Sequence, residues 1–294
     1  MHRLTIQHPS LADEAVAAFA EAAGGSPDTR EPRLATWHRT SLDRATVQAL
    51  AETAEVDAAL VPREASLSDY RLAAFDMDST LITIECVDEI ADYAGRKAEV
   101  AAITAAAMRG EITDYDESLR RRVALLEGLP EETLHRVWDE RVRLSPGAEP
   151  LIAQLRACGL KILLVSGGFT FFTGRLQKRL GIDFTRSNEL EIVDGRLTGH
   201  LLGRIVNAQG KREALEQTCL RLGCAPGQAI AVGDGANDLE MMKIAGASVA
   251  YRAKPVVRAR TTFAIRYSGL DAVLGWLPPK PAENGQDAEA RPSL

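Results

Sequence analysis

Apolar residues recur along this chain in two rhythms, short extended runs and longer stretches at helical spacing, and their order sketches an architecture. Leu4 to Gln7 reads as a strand, and a Ser10-capped stretch to Ala23 as a helix. After the polar break Gly24-Gly25-Ser26-Pro27-Asp28 come a strand from Leu34 to Arg39, a Ser41-capped helix to Glu55 and a strand from Val56 to Val61. This alternation predicts a small α+β module of βαββ or βαβαβ type over residues 1–68, with the polar stretch from Pro62 to Tyr70 as its linker.

The next run, Leu72-Ala73-Ala74-Phe75, is continuously apolar and ends in Asp76-Met77-Asp78-Ser79-Thr80, as a strand buried on both faces would. Helical spacing then dominates from 85 to 144: Val87 to Ala94 closed by Gly95, Ala98 to Met108 closed by Gly110, Asp116 to Leu126, and Glu131 to Val142. Four helices with short joints, set between one strand and the next, predict a bundle inserted at the strand's carboxyl end, where it would cover a site. A helix from Pro150 to Cys158, a strand from Lys161 to Val165 running into Ser166-Gly167-Gly168, and a helix from Phe169 to Leu180 come next. Glu189 to His200 alternates around Asp194-Gly195, a hairpin signal. Helix Lys211 to Leu222, strand Ala229 to Val232, helix Leu239 to Ala245 and strand Ser248 to Tyr251 complete a β/α succession that favours an open parallel sheet. The expected division is 1–68 module, 69–84 with 145–277 core, 85–144 cap, and 278–294 a tail too polar and Pro-rich to order.

Composition narrows the function classes. With 46% hydrophobic and 26% charged residues, the 294-residue chain can bury a sizeable core, and a net charge of -6 argues against bulk attraction to nucleic acid or anionic membrane. An anionic ligand would need a local basic site. Cys86, Cys158, Cys219 and Cys224 show no metal-ligand spacing and read as reduced thiols. The amino terminus lacks a signal-peptide apolar region and no run reaches the roughly 20 apolar residues of a membrane span, so a cytoplasmic protein is expected.

The candidate chemistry sits at strand ends. Asp76 and Asp78, two apart on extended backbone, point to one side and can share a proton and a divalent cation. A second buried strand ends in Gly233-Asp234-Gly235-Ala236-Asn237-Asp238, giving two acidic strand-end clusters in one chain. Ser166-Gly167-Gly168 offers a hydroxyl and backbone N–H groups to a phosphate oxygen. Lys211 stands near a helix start, where the dipole disfavours a cation by about 0.3 to 1 kcal/mol, so a neighbouring anion is expected. Nucleophile, second carboxylate, phosphate cradle, lysine and cation loop are the parts of phosphoryl transfer. No Gly-x-Gly-x-x-Gly or Walker-type loop occurs to support a nucleotide-binding alternative.

Taken as Asp76-Met77-Asp78-Ser79-Thr80, Ser166, Lys211 and Gly233 to Asp238, these stretches resemble the four motifs of the haloacid dehalogenase superfamily. Over about residues 72–275 the likeness extends to its branch that hydrolyses O-phosphoserine, through Glu85, Ser118 to Val123 and Val165 to Phe169. The resemblance implies a Rossmann-like core with a helical cap, an ACT-like amino-terminal module, and magnesium-dependent hydrolysis of phosphoserine through an aspartyl phosphate, the last step of serine biosynthesis. It assigns Asp76 as nucleophile and Asp78 as acid and base. Asp76, Asp234 and the Asp78 carbonyl become magnesium ligands, and Ser166, Gly167, Lys211 and Asn237 the phosphate-side contacts. Asp238 orients Lys211 or the metal shell. Glu85 receives the substrate ammonium and Arg122 its carboxylate, while at least one or two of Arg120, Arg121 and Arg122 suit a solvated helix face. Met108 and Tyr115 match residues that line the substrate. The expected partner is a small molecule, with neither nucleic acid nor membrane, and a homodimer is compatible with the chain. The rival within the enzymes is a phosphatase or phosphotransferase acting on another small phosphate ester. A cation-pumping ATPase lacks the second catalytic Asp, and a mere amino-acid sensor would not need the full catalytic set.

Overall fold

The computed structural model describes residues 2–109 and 111–279, so most of the predicted tail lies outside the described residues. The first 62 residues build an antiparallel sheet of their own, in the order β2-β3-β1-β4. Its elements are β1 (His2–Gln7), α1 (Asp13–Ala23), β2 (Thr29–Glu31), β3 (Leu34–Thr40), α2 (Arg44–Thr53) and β4 (Asp57–Pro62). Leu4, Ile6, Phe19, Trp37 and Val47 fill the space between sheet and helices. Strand β2 has no counterpart in the sequence pattern, and both helix caps differ from those expected by residue type. Ala12 precedes α1 without a side-chain cap, and Asp43 rather than Ser41 caps α2, accepting from the Thr46 N–H. Ser10 is instead held in a turn, its N–H donating to the His8 ring.

The module is fastened to the rest of the chain. One Asp57 carboxylate accepts the N–H groups of Arg266, Tyr267 and Ser268, at 2.6 to 3.3 Å. Arg3 donates to the carbonyls of Arg63, Ala65 and Trp276, Gln7 to that of Ala272, and Arg44 to that of Thr261. The stretch expected to be a polar linker carries Leu67, which is fully buried in the main core.

The core sheet runs β11-β10-β9-β5-β6-β7-β8, parallel except for the β7–β8 hairpin. In chain order come β5 (Leu72–Phe75), the cap helices α3 (Cys86–Tyr93), α4 (Lys97–Met108), α5 (Tyr115–Ala124) and α6 (Glu132–Glu140), and then α7 (Ala148–Ala157). Next are β6 (Lys161–Phe169), α8 (Thr170–Leu180), β7 (Phe184–Val193), β8 (Arg196–Leu202) and α9 (Ala208–Leu222). The last are β9 (Ala229–Gly233), α10 (Leu239–Ile244), β10 (Ala247–Tyr251), α11 (Pro255–Arg258), β11 (Phe263–Ile265) and α12 (Ala272–Trp276). The Asp194-Gly195 turn has positive φ at both residues, 51° and 72°, the type I′ geometry that suits a two-residue hairpin.

The four cap helices hang from β5 on a pair of crossing segments, where Thr83 N–H donates to Arg143 O at 3.0 Å and Ser145 N–H to Leu81 O at 3.0 Å. A second attachment joins the cap to the hairpin: Gly128 N–H to Leu197 O, Leu197 N–H to Leu129 O and Glu131 N–H to Gly195 O, at 2.8 to 2.9 Å. Among the described residues no helix is long and apolar enough to cross a membrane.

Candidate active site

All four residues of β5 are buried, and the sheet order makes it the strand from which the chain steps to β6 on one side and later to β9 on the other. Open parallel sheets place their ligands at such a switch point. Phe75 stands level with Leu164 of β6 and Val232 of β9, so the three strands end side by side. The segments at their carboxyl ends converge: Asp76 to Asp78, Ser166 to Gly168, and Asp234 to Asp238.

Asp76, 5% exposed, donates its N–H to Val232 O at 2.9 Å. Its Oδ1 accepts from the Met77 N–H at 2.7 Å and pairs with Lys211 Nζ at 2.8 Å. The same Nζ donates to Asp238 Oδ1 at 2.7 Å, while Asp238 Oδ2 takes the Gly235 N–H at 3.0 Å. A Cβ on Gly233 would collide with the Asp238 carboxylate, so glycine is needed for this close approach. Lys211 is wholly buried on the first turns of α9, and its two carboxylates supply the anions that its place near a helix start called for. Burial pushes its ammonium down, but Asp238 and Asp76 outweigh that and hold it above the ordinary lysine value. Burial raises the Asp76 carboxyl, and the Asp238 and Asp234 charges add to the rise against the pull of Lys211.

After Asp76 the backbone leaves the strand in an irregular turn, extended at Asp78 and left-handed at Ser79 with φ 55°. Ser79 Oγ donates to Glu85 Oε1 at 2.6 Å. Asp78 Oδ2 accepts a long 3.3 Å bond from the Cys86 N–H, and Oδ1 is buried with no partner among the described residues. Burial and the nearby Glu85 charge push this carboxyl up to about 8, which favours the protonated form at neutral pH. That is the state a general acid needs.

Ser166 is 1% exposed and its Oγ accepts the Gly168 N–H at 2.8 Å, which leaves the hydroxyl proton to donate elsewhere. A Cβ added at Gly168 would lie 3.1 Å from both Asp78 Oδ2 and Ser166 Oγ, a measure of how closely the two loops meet. The sequence pattern predicts a helix opening directly after Ser166-Gly167-Gly168, at Phe169; instead β6 continues through Phe169, and α8 starts at Thr170.

Asp234 accepts from Thr80 Oγ1 at 3.1 Å, and burial together with the Asp238 charge pushes it up to about 7. One oxygen each of Asp76, Asp234 and Asp238 lie within 4.8 Å of one another. Asp238 has both oxygens taken, by Lys211 and Gly235, while Asp76 uses only Oδ1 for Met77 and Lys211, which leaves Asp76 and Asp234 as the better-placed donors for a cation. Asn237 is half-buried on the same loop.

From the cap, Glu85 precedes α3 and opens to solvent on one side, while surrounding protein raises its carboxyl. The three arginines of α5 differ in exposure and in partners. Arg121 and Arg120 are 55% and 58% exposed and face Glu117 and Asp116 one turn back. Arg122 is half-buried, donates only to Ser118 O at 3.4 Å, and has no carboxylate in ion-pair range among the described residues. Tyr115 reaches the phosphate loop, since a Cβ on Gly167 would strike its hydroxyl. The side chain of Met108 lies outside the described residues. Sequence reasoning missed Thr80 as the support of Asp234, though its place inside the Asp-x-Asp-x-Thr stretch was a usable signal.

A strand-end aspartate locked to a buried lysine, a second buried aspartate whose carboxyl is raised, and a hydroxyl beside them define a phosphoryl-transferring hydrolase. The haloacid dehalogenase-like hydrolase pattern matches residues 73–243, and the chain belongs to that family. A phosphoserine phosphatase of Polaromonas sp. strain JS666 is 61% identical over 212 residues, 71% of this chain and 90% of that one. A hydrolase of the same family from Salmonella enterica serovar Typhi superposes with a TM-score of 0.85 at 32% identity, covering 96% of this chain and 100% of that chain. A probable phosphoserine phosphatase from Vibrio cholerae gives 0.81 at 37%, covering 94% and 86%.

Proposed function

We propose that this protein hydrolyses O-phosphoserine to serine and phosphate through an aspartyl phosphate, in a magnesium-dependent reaction. The observation that carries the chemistry is the buried Asp76–Lys211–Asp238 array beside the buried Asp78 carboxyl, whose Oδ1 has no partner among the described residues. The substrate assignment is supported by the relatives named phosphoserine phosphatase and by the half-buried Arg122, which has no carboxylate in ion-pair range among the described residues.

The free oxygen of Asp76 attacks phosphorus, the bond from phosphorus to the serine oxygen breaks, and Asp78 gives its proton to that oxygen. Asp78, now a carboxylate, takes a proton from the water that hydrolyses the aspartyl phosphate. Lys211 and the Ser166 hydroxyl hold the phosphoryl oxygens, with the Gly167 N–H and Asn237 beside them. Burial keeps these donors from being spent on water.

The acidic set fits a hard divalent cation: Asp76 and Asp234 present oxygen ligands, and both carboxyls are raised by burial and by the neighbouring Asp238 charge. With the Asp78 main-chain carbonyl they would hold magnesium, which supplies neutralisation of the phosphate charge. Chelation is expected to abolish phosphate release and added magnesium to restore it; full rate after exhaustive chelation would remove Asp234 from this role.

Glu85 and Arg122 would take the ammonium and carboxylate of the substrate. Arg122→Ala should then lower kcat/KM on phosphoserine by about 2 to 5 kcal/mol in barrier terms, with little change on an aryl phosphate that has no carboxylate. Equal losses on both substrates would dismiss the clamp. The function itself is tested by initial rates over a panel of phosphate esters, including both enantiomers of phosphoserine, with and without alcohol acceptors. A preferred ester other than phosphoserine, or transfer to the alcohol, would favour the rival reading.

A further inference from the structure

Between Val165 and Phe169 the pairing of β6 with β7 is interrupted, and Asn188 of β7 stands opposite Phe169 at the end of that gap. The residues that leave the ladder there are those of the phosphate loop, Ser166 to Gly168. Asn188 is 3% exposed. Its Nδ2 donates to Gly167 O at 2.7 Å, and its Oδ1 accepts the Val206 N–H at 2.8 Å. A single buried carboxamide therefore stands in for the missing ladder and ties the phosphate loop to the segment that leads into α9. Asn207 is the next residue along, capping α9 through the Gly210 N–H at 3.0 Å, and Lys211 comes directly after Gly210.

The consequence reaches the reacting groups through covalent geometry. Fixing Gly167 O fixes the plane of the peptide between Gly167 and Gly168. That peptide's N–H is the group bonded to Ser166 Oγ, so its plane sets the Ser166 hydroxyl and the direction of its remaining proton. The other end of the same carboxamide holds the approach to Lys211. We infer that Asn188 is a positioning residue that aligns the Ser166 hydroxyl and Lys211 on one phosphoryl group, without touching the substrate. The inference rests on the phosphatase reading given above.

Inorganic phosphate, as product and competitive inhibitor, is the probe. Asn188→Ala removes both bonds, and Asn188→Asp keeps the acceptor for Val206 but turns an anionic oxygen towards Gly167 O. Both are expected to weaken phosphate inhibition and kcat/KM by about tenfold to a hundredfold in the folded protein. A double-mutant cycle separates positioning from stability: in a Ser166→Ala background, Asn188→Ala should cost clearly less than it does alone. Additive losses, or an unchanged phosphate inhibition constant alongside a lowered Tm, would overturn the inference. If Asn188→Ala fails to fold, Asn188→Asp carries the same cycle. Wild-type turnover of phosphoserine is measured in parallel, so loss of the phosphatase reading itself would show there and not in the cycle.

Discussion

Asp76→Asn should leave a folded protein with turnover reduced on the order of 10⁴-fold or more, because an amide oxygen cannot attack phosphorus and the loss of a nucleophile removes the reaction path. The fold should survive for local reasons. The amide oxygen can still accept from the Met77 N–H and from Lys211, and Lys211 keeps Asp238 at 2.7 Å. Phosphate release and circular dichroism measured on one preparation decide the matter. Trapping by a phosphate-mimicking fluoride with magnesium should likewise require Asp76. Appreciable activity in the folded variant would end the covalent mechanism.

Lys211→Met is expected to damage both stability and rate. The lysine is fully buried between two buried carboxylates, and removing it leaves them facing each other without a cation. Breaking a buried pair in this way costs about 3 to 5 kcal/mol of folding stability. Urea unfolding in the presence and absence of magnesium measures that cost, and the metal should recover part of it if Asp76 is among its ligands. In the fraction that folds, the rate should fall by about 10²-fold or more, since a preorganised donor to the developing phosphoryl charge is gone. A variant as stable and active as the parent would mean that the array is a bystander.

Much of this was legible in the sequence because its signals were local. The apolar run before Asp76, the Asp194-Gly195 turn and the glycines that close helices each declare themselves within a few residues. The candidate site stretches, which the structure brings together, were readable for the same reason, being contiguous strings at strand ends. The features that escaped depended on neighbours far along the chain or carried no pattern. The exposed edge strand β2 has no alternation to read, being polar from Thr29 to Glu31. Ser10 and Ser41 were reasonable caps by residue type, yet the His8 ring took one and Asp43 displaced the other. Asn188 carries no local pattern, since its two partners lie 18 and 21 residues away.

The three N–H groups gathered by Asp57 also bear on how the chain avoids joining other chains. They lie directly after β11, the last strand of the core sheet, which is paired only with β10 among the described strands. An open strand edge of this kind is a template for intermolecular pairing. With β4 brought near it and Arg44 bonded to Thr261 just upstream, the amino-terminal module lies alongside that edge. A further strand seeking to pair with β11 would meet residues of β4 there.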